Sequence, residues 1–135
     1  MDLIELHIGM PIINALCMAF FAVLFLQSGI DKMIDWKGNL NWLKGHFEKS
    51  FLANVVPALL GIITFTELLA GVASAVGMVE VLFYTSNVIG SFALLFCLFN
   101  ILVLFTGQRI AKDYEGAAVL VNYFLLGIVS LVLLG

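Results

Sequence analysis

Charge is what this sequence has least of. Asp, Glu, Lys and Arg make up 11% of its 135 residues, against about 25% in an average soluble domain. Six Lys and Arg against nine Asp and Glu leave a net charge of −3, so no basic surface exists for nucleic acid. Cysteine is equally sparse: Cys17 and Cys97 lie far apart inside apolar runs. They form no CxxC pair, zinc knuckle or extracellular disulfide framework, and two reduced, buried thiols are expected. The two histidines, His7 and His46, fall before the first apolar run and in the first long loop. On opposite faces of a membrane they could not share a haem, and no metal centre is expected. Gly-rich phosphate loops, HExxH and nucleophile elbows are missing too.

Apolar residues fill the space. They account for 63% of the chain, against roughly 45–50% in soluble domains. A soluble domain of this size could not bury that much apolar surface. The composition is that of an integral membrane protein.

Charge-free runs divide the chain. Residues 8–30, 81–108 and 116–135 carry no Asp, Glu, Lys or Arg, and residues 50–79 carry only Glu67. A bilayer-spanning helix needs roughly 20 mostly apolar residues. The segmentation predicts an all-α bundle of four transmembrane helices, near 10–30, 51–77, 84–106 and 115–134, in a single domain. Asp2 and Glu5, without a Lys or Arg, precede the first run, which is not the start of a secretory signal. Pro11 suits the first turn of a helix. Pro57 lies deeper, in the first third of the second span, where a kink is expected.

All six Lys and Arg fall in two segments: Lys32, Lys37, Lys44 and Lys49 after the first span, Arg109 and Lys112 after the third. By the positive-inside rule both segments face the cytoplasm and both termini face out. Within the first loop, Trp36, Leu40, Leu43 and Phe47 share one helical face among lysines, with Trp42 beside them. That is the composition of an amphipathic segment at the membrane surface. A substrate lid or a docking face for a soluble partner is the alternative.

Glu67 is the outstanding candidate for chemistry. An acid in hydrocarbon normally faces the bundle interior, pairs or stays protonated. Thr64, Glu67, Gly71 and Ser74 are spaced +3, +4, +3 and form a small, polar stripe that should turn inward. Counting rise per residue from the middle of each span puts Glu67 about 5 Å outside centre. Cys17 and Ala93 come out level with it, with Asn14 and Ser91 within a turn. No cation stands at that depth, so a neutral, hydrogen-bonded Glu67 is expected, either carrying a proton and anchoring a ligand or joining helices. Gly90, Ala93, Cys97 and Asn100 form a close-packing seam on the third span. Asn100, Asn122, Gln27 and Ser28 could line a polar pocket toward the cytoplasmic side. Asp31, Lys32 and Asp35, with Arg109, Lys112, Asp113 and Glu115, make a rim. It reads as a solvated, ion-paired rim, or as a site for a quinone head group or small anion.

One resemblance emerges from these residues. The first span closes on Phe25-Leu26-Gln27-Ser28-Gly29-Ile30-Asp31-Lys32, followed by the amphipathic loop and a Pro in the second span. Glu67-Leu68-Leu69-Ala70-Gly71 then runs on to Gly77. This resembles the DoxX/DoxD-like family of small four-helix membrane proteins. The stretch from Gly38 to Phe47 is similar to the branch found in Bacteroidetes bacteria. The resemblance implies a bacterial inner-membrane location and matches Gly29, Lys32, Glu67, Gly71 and Gly77. The family is named for a membrane subunit of thiosulfate:quinone oxidoreductase. It implies a subunit or anchor of a redox or sulfur-linked complex, at most quinone-binding rather than catalytic, with lipid and other subunits as partners. The charged tail of many members is not found after the fourth span. Two other functions fit the same residues. One is a small proton-coupled transporter working as a homodimer, although such proteins carry the acid in the first span. The other is a non-catalytic assembly factor.

Overall fold

The structure, a computed structural model, describes residues 3–84 and 86–135, with side chains from residue 9 onward. Among these every regular element is a helix: α1 (Leu3–Ile34), α2 (Trp36–His46), a 3-10 turn (Ala53–Val55), α3 (Val56–Phe83), α4 (Val88–Ile110) and α5 (Tyr114–Leu134). Four segments, Gly9–Ile34, Ala53–Phe83, Val88–Ile110 and Tyr114–Leu134, are long and apolar enough to cross a bilayer. The protein is a multi-pass integral membrane protein.

Its outer surface follows from that. Phe65, Phe92, Phe99 and Val132 stand exposed, because lipid tails solvate them as well as a protein core would. The interior gathers Met18, Phe21 and Phe25 of α1 with Ala70 of α3 and Leu94 and Cys97 of α4. Phe21 and Phe25 stack at 6.3 Å.

The helices approach closely where side chains are missing. A Cβ on Gly71 would stand 2.9 Å from the backbone nitrogen of Leu26, and one on Gly77 would stand 2.9 Å from the Cα of Gly90. Only glycine allows either crossing, and close packing is the main force between helices in lipid. Gly29 receives Leu68, as Gly71 receives Leu26. These two reciprocal contacts set how far α1 and α3 slide past each other.

That register overturns the depth count made from span midpoints. Glu67 lies beside the last turns of α1, and Cys17 is roughly 22 Å farther along the helix, fifteen residues before Lys32. Both prolines are also corrected. Pro57 opens α3 in its first turn, where its missing N–H leaves no carbonyl unpaired. Pro11 lies inside α1, which begins two turns earlier than expected.

The first loop does form a helix. Asp35 caps it, accepting from the Gly38 amide at 3.2 Å, so Gly38 belongs to the first turn rather than breaking the helix. Leu40 and Leu43 are half-buried and Phe47 is buried, while Lys37 and Lys44 stay exposed. The expected face turns toward α3 and α4. His46 secures the far end of α2: its Nε2 donates to Gln108 Oε1 at 2.6 Å and stands 3.7 Å from Asp113 Oδ2. Its ring also stacks on Trp42 at 4.4 Å.

Candidate functional site

The inward stripe of α3 is where the periodicity put it: Thr64, Glu67, Gly71 and Ser74 are all buried. The close-packing seam of α4 is buried as well, from Gly90 through Ala93 and Cys97 to Asn100. Thr64 Oγ1 donates to the Leu60 carbonyl at 2.6 Å. Ser74 Oγ donates to the Ala70 carbonyl at 2.8 Å. The Ser74 hydrogen is thereby committed, so the 3.2 Å contact with Cys97 runs from the thiol to the Ser74 oxygen. Both cysteines are free, Cys97 buried and Cys17 half-buried.

Glu67 does have a cation. Lys32 Nζ stands 3.1 Å from Glu67 Oε2 and donates to it. The same ammonium donates to Ser28 Oγ at 2.7 Å, one turn back along α1. This corrects two expectations together: Lys32 belongs to the interior rather than the rim, and Glu67 is not without a partner. The cause is the register. With Gly29 on Leu68, a lysine three residues past that glycine meets an acid one residue before that leucine. The Glu67 side chain is 2% exposed and that of Lys32 18%, so the pair reaches the surface of the bundle only through the lysine. A buried carboxylate without that ammonium would carry an uncompensated desolvation cost.

The other candidates separate. Asn100 lies next to the pair: its Nδ2 donates to the Phe96 carbonyl at 3.1 Å and to the Thr66 carbonyl at 3.4 Å. Asn14 is some 27 Å from Lys32 along α1, eighteen residues away, with its Oδ1 buried and without a partner among the described residues. Asn122 and Gln27 are exposed and face away from any shared pocket. Of the four residues expected to line a polar pocket, Ser28 and Asn100 alone lie near the pair. At the rim, Asp31 is exposed. Arg109, also exposed, sits over the Tyr114 ring at 4.4 Å. His7 lies outside the described side chains.

A second buried acid went unrecognised. Glu80 falls between the expected second and third spans, 51–77 and 84–106, but α3 runs on to Phe83 and buries it. Its carboxylate accepts from the Gly90 amide at 3.0 Å, the Ile89 amide at 3.1 Å and Ser86 Oγ at 3.2 Å. It therefore stands over the N-terminus of α4, where free N–H groups and the helix dipole favour negative charge. A signal was present in the sequence. An acid between apolar residues, on the end of the molecule without Lys or Arg, needs neutral donors, and the next helix start supplies them.

An apolar groove completes the region. It encloses about 320 Å³ between α2, α3 and α4, with Leu43 and Phe47 above and Val56, Leu59 and Ile63 of α3 along one wall. Ile63 lies one helical turn from Glu67 on the same side of α3. Thr106 is the one hydroxyl in the lining, and it is spent on the Leu102 carbonyl at 2.8 Å. The groove can therefore take an apolar chain, and any polar head must find its partner beyond the groove. Among the described residues no group of three or more His, Cys, Asp or Glu could hold a metal ion. Set against known proteins, the chain matches no family model, no curated protein and no solved structure.

Proposed function

We propose that this is a DoxX-like membrane subunit that holds a quinone or a similar apolar molecule beside the Lys32–Glu67 pair. The observation that carries the reading is a buried ion pair one helical turn from an apolar groove. Small-molecule sites combine those two parts: a mostly apolar cavity and a few placed polar groups. The groove would take the isoprenoid tail. Lys32 donates to Ser28 Oγ and Glu67, and beyond these makes only a long 3.5 Å contact with the Ser28 carbonyl, which it would exchange for a head-group carbonyl. Glu67 would hold that ammonium in place, and the amphipathic α2 would close the groove from the membrane surface. A bound quinone would supply the redox chemistry, making the chain a binding or anchoring subunit for redox or sulfur-handling partners. Its lysine-bearing loops would face the cytoplasm of a bacterial inner membrane, with both termini outside.

The test is organic extraction of the purified protein in mild detergent, with quinone measured by mass spectrometry. Stoichiometric quinone is expected in the native chain. Ile63→Trp, which fills the groove and leaves the ion pair untouched, should remove most of it without loss of thermal stability. Quinone absent from the native chain, or retained unchanged by Ile63→Trp, would refute this site.

A further inference from the structure

Asn122 stands in the wrong place for a monomer. It lies eight residues into α5, about 12 Å from the helix start, in a span that is otherwise apolar from Ala117 to Leu134 except for Gly127 and Ser130. Ser130 is buried and donates to the Leu126 carbonyl at 2.6 Å. Asn122 is exposed, and its carboxamide makes no hydrogen bond among the described residues. A primary amide with two donors and an acceptor facing hydrocarbon is costly, and polar groups at such positions pair across helices.

The face around it is ordered. Glu115, Ala118, Asn122, Leu125, Val129 and Val132 follow one another at +3, +4, +3, +4, +3, and every one is exposed. That 3.5-residue spacing is the seam of a left-handed helix pair, and a single Asn within such a seam sets register and partner number. α5 also has the most surface to cover. Only 22% of its apolar window is buried, against 33% for the spans containing α1 and α3 and 39% for α4.

We infer that a second copy of this chain covers this seam, α5 against α5, with Asn122 paired to Asn122 of the second copy. The amide is what selects the occupant. A carboxamide is self-complementary, each one donating and accepting, so two related by a two-fold axis satisfy each other. Copies inserted by one rule share one sidedness, so two α5 helices lie parallel about an axis along the membrane normal. In that arrangement residue 122 meets its own equivalent in register. A lipid acyl chain would satisfy the leucine and valines but not the amide.

Two measurements on the full chain in liposomes test this. Energy transfer between labelled copies, followed over a range of protein-to-lipid ratios, should show a dimer. Asn122→Leu should weaken it about tenfold, while Asn122→Gln should retain it. The substituted position is on the outside, so folding is not at stake. Separately, Val129→Cys on the seam should form an intermolecular disulfide under oxidation. Ile62→Cys on the outer face of α3 should not rise above the background of Cys17 and Cys97. A chain that stays monomeric at every density, a dimer indifferent to Asn122→Leu, or cross-linking through position 62 in preference to 129 would each overturn the proposal.

Discussion

α3 carries two buried carboxylates thirteen residues apart, and the bundle balances them by different means. Glu67 faces a charge, the Lys32 ammonium at 3.1 Å. Glu80 faces a field, two backbone amides and a hydroxyl at the start of α4. The first solution depends on one flexible side chain and can be opened by moving it. The second is built into the backbone and can be opened only by moving a helix. A mobile cation beside a groove is suited to exchanging a partner, whereas a carboxylate bound by amide groups is suited to holding a turn. The proposed ligand site accordingly lies beside Glu67, whereas Glu80 caps the start of α4.

The sharpest way to break the contrast is to remove one partner. Lys32→Met should destabilise the bundle by about 3–5 kcal/mol, since it strands a buried carboxylate. Adding Glu67→Leu should restore most of that loss. Unfolding in mixed micelles measures both, and a double variant no better than the single one would mean that the pair is not coupled.

Glu80→Ala should cost about 2–3 kcal/mol, the sum of charge-assisted bonds to the α4 amides less what lipid-side relaxation recovers. No second substitution on a side chain can compensate, because its main partners are backbone groups. Faster amide exchange confined to the first turn of α4 would locate the loss. Protection unchanged there would contradict the capping role.

Glu67→Gln is the mildest of the three, about 1–2 kcal/mol. The Gln carbonyl still accepts from Lys32, Ser28 still holds the ammonium, and the long lysine stem can lift the charge toward the polar end of α1. A loss as large as that of Lys32→Met would show that the two ends of the pair are equally confined.

Much of this was readable in advance. The four spans followed from charge-free runs, and the inward face of α3 from the +3, +4, +3 spacing of Thr64, Glu67, Gly71 and Ser74. The seam of α4 and the apolar face of α2 followed in the same way. Each is a property of one helix, written in its own periodicity. What went astray was the relation between helices. Midpoint counting paired Glu67 with Cys17, because it assumed that every span is centred on the same plane. In the structure α1 ends beside the first third of α3, and α2 starts beside Gly61, nearer the beginning of that helix. Asn122 was grouped with Asn100 because both are polar and at similar depth, yet Asn100 turns inward and Asn122 turns to the outside of the bundle.

By itself, then, the sequence determined that the chain enters a membrane, how many times it crosses, and which side of each helix seeks protein. Hydrophobicity and a 3.6-residue period decide those locally. Only the tertiary structure decided which polar groups meet, because a slip of one helical turn shifts a helix by about 5.4 Å. That is enough to make or break a salt bridge while leaving every apolar face satisfied. The register is held by the fit of Leu68 over Gly29 and Leu26 over Gly71, a matter of shape between two chain segments some forty residues apart. That fit brings Lys32 to Glu67.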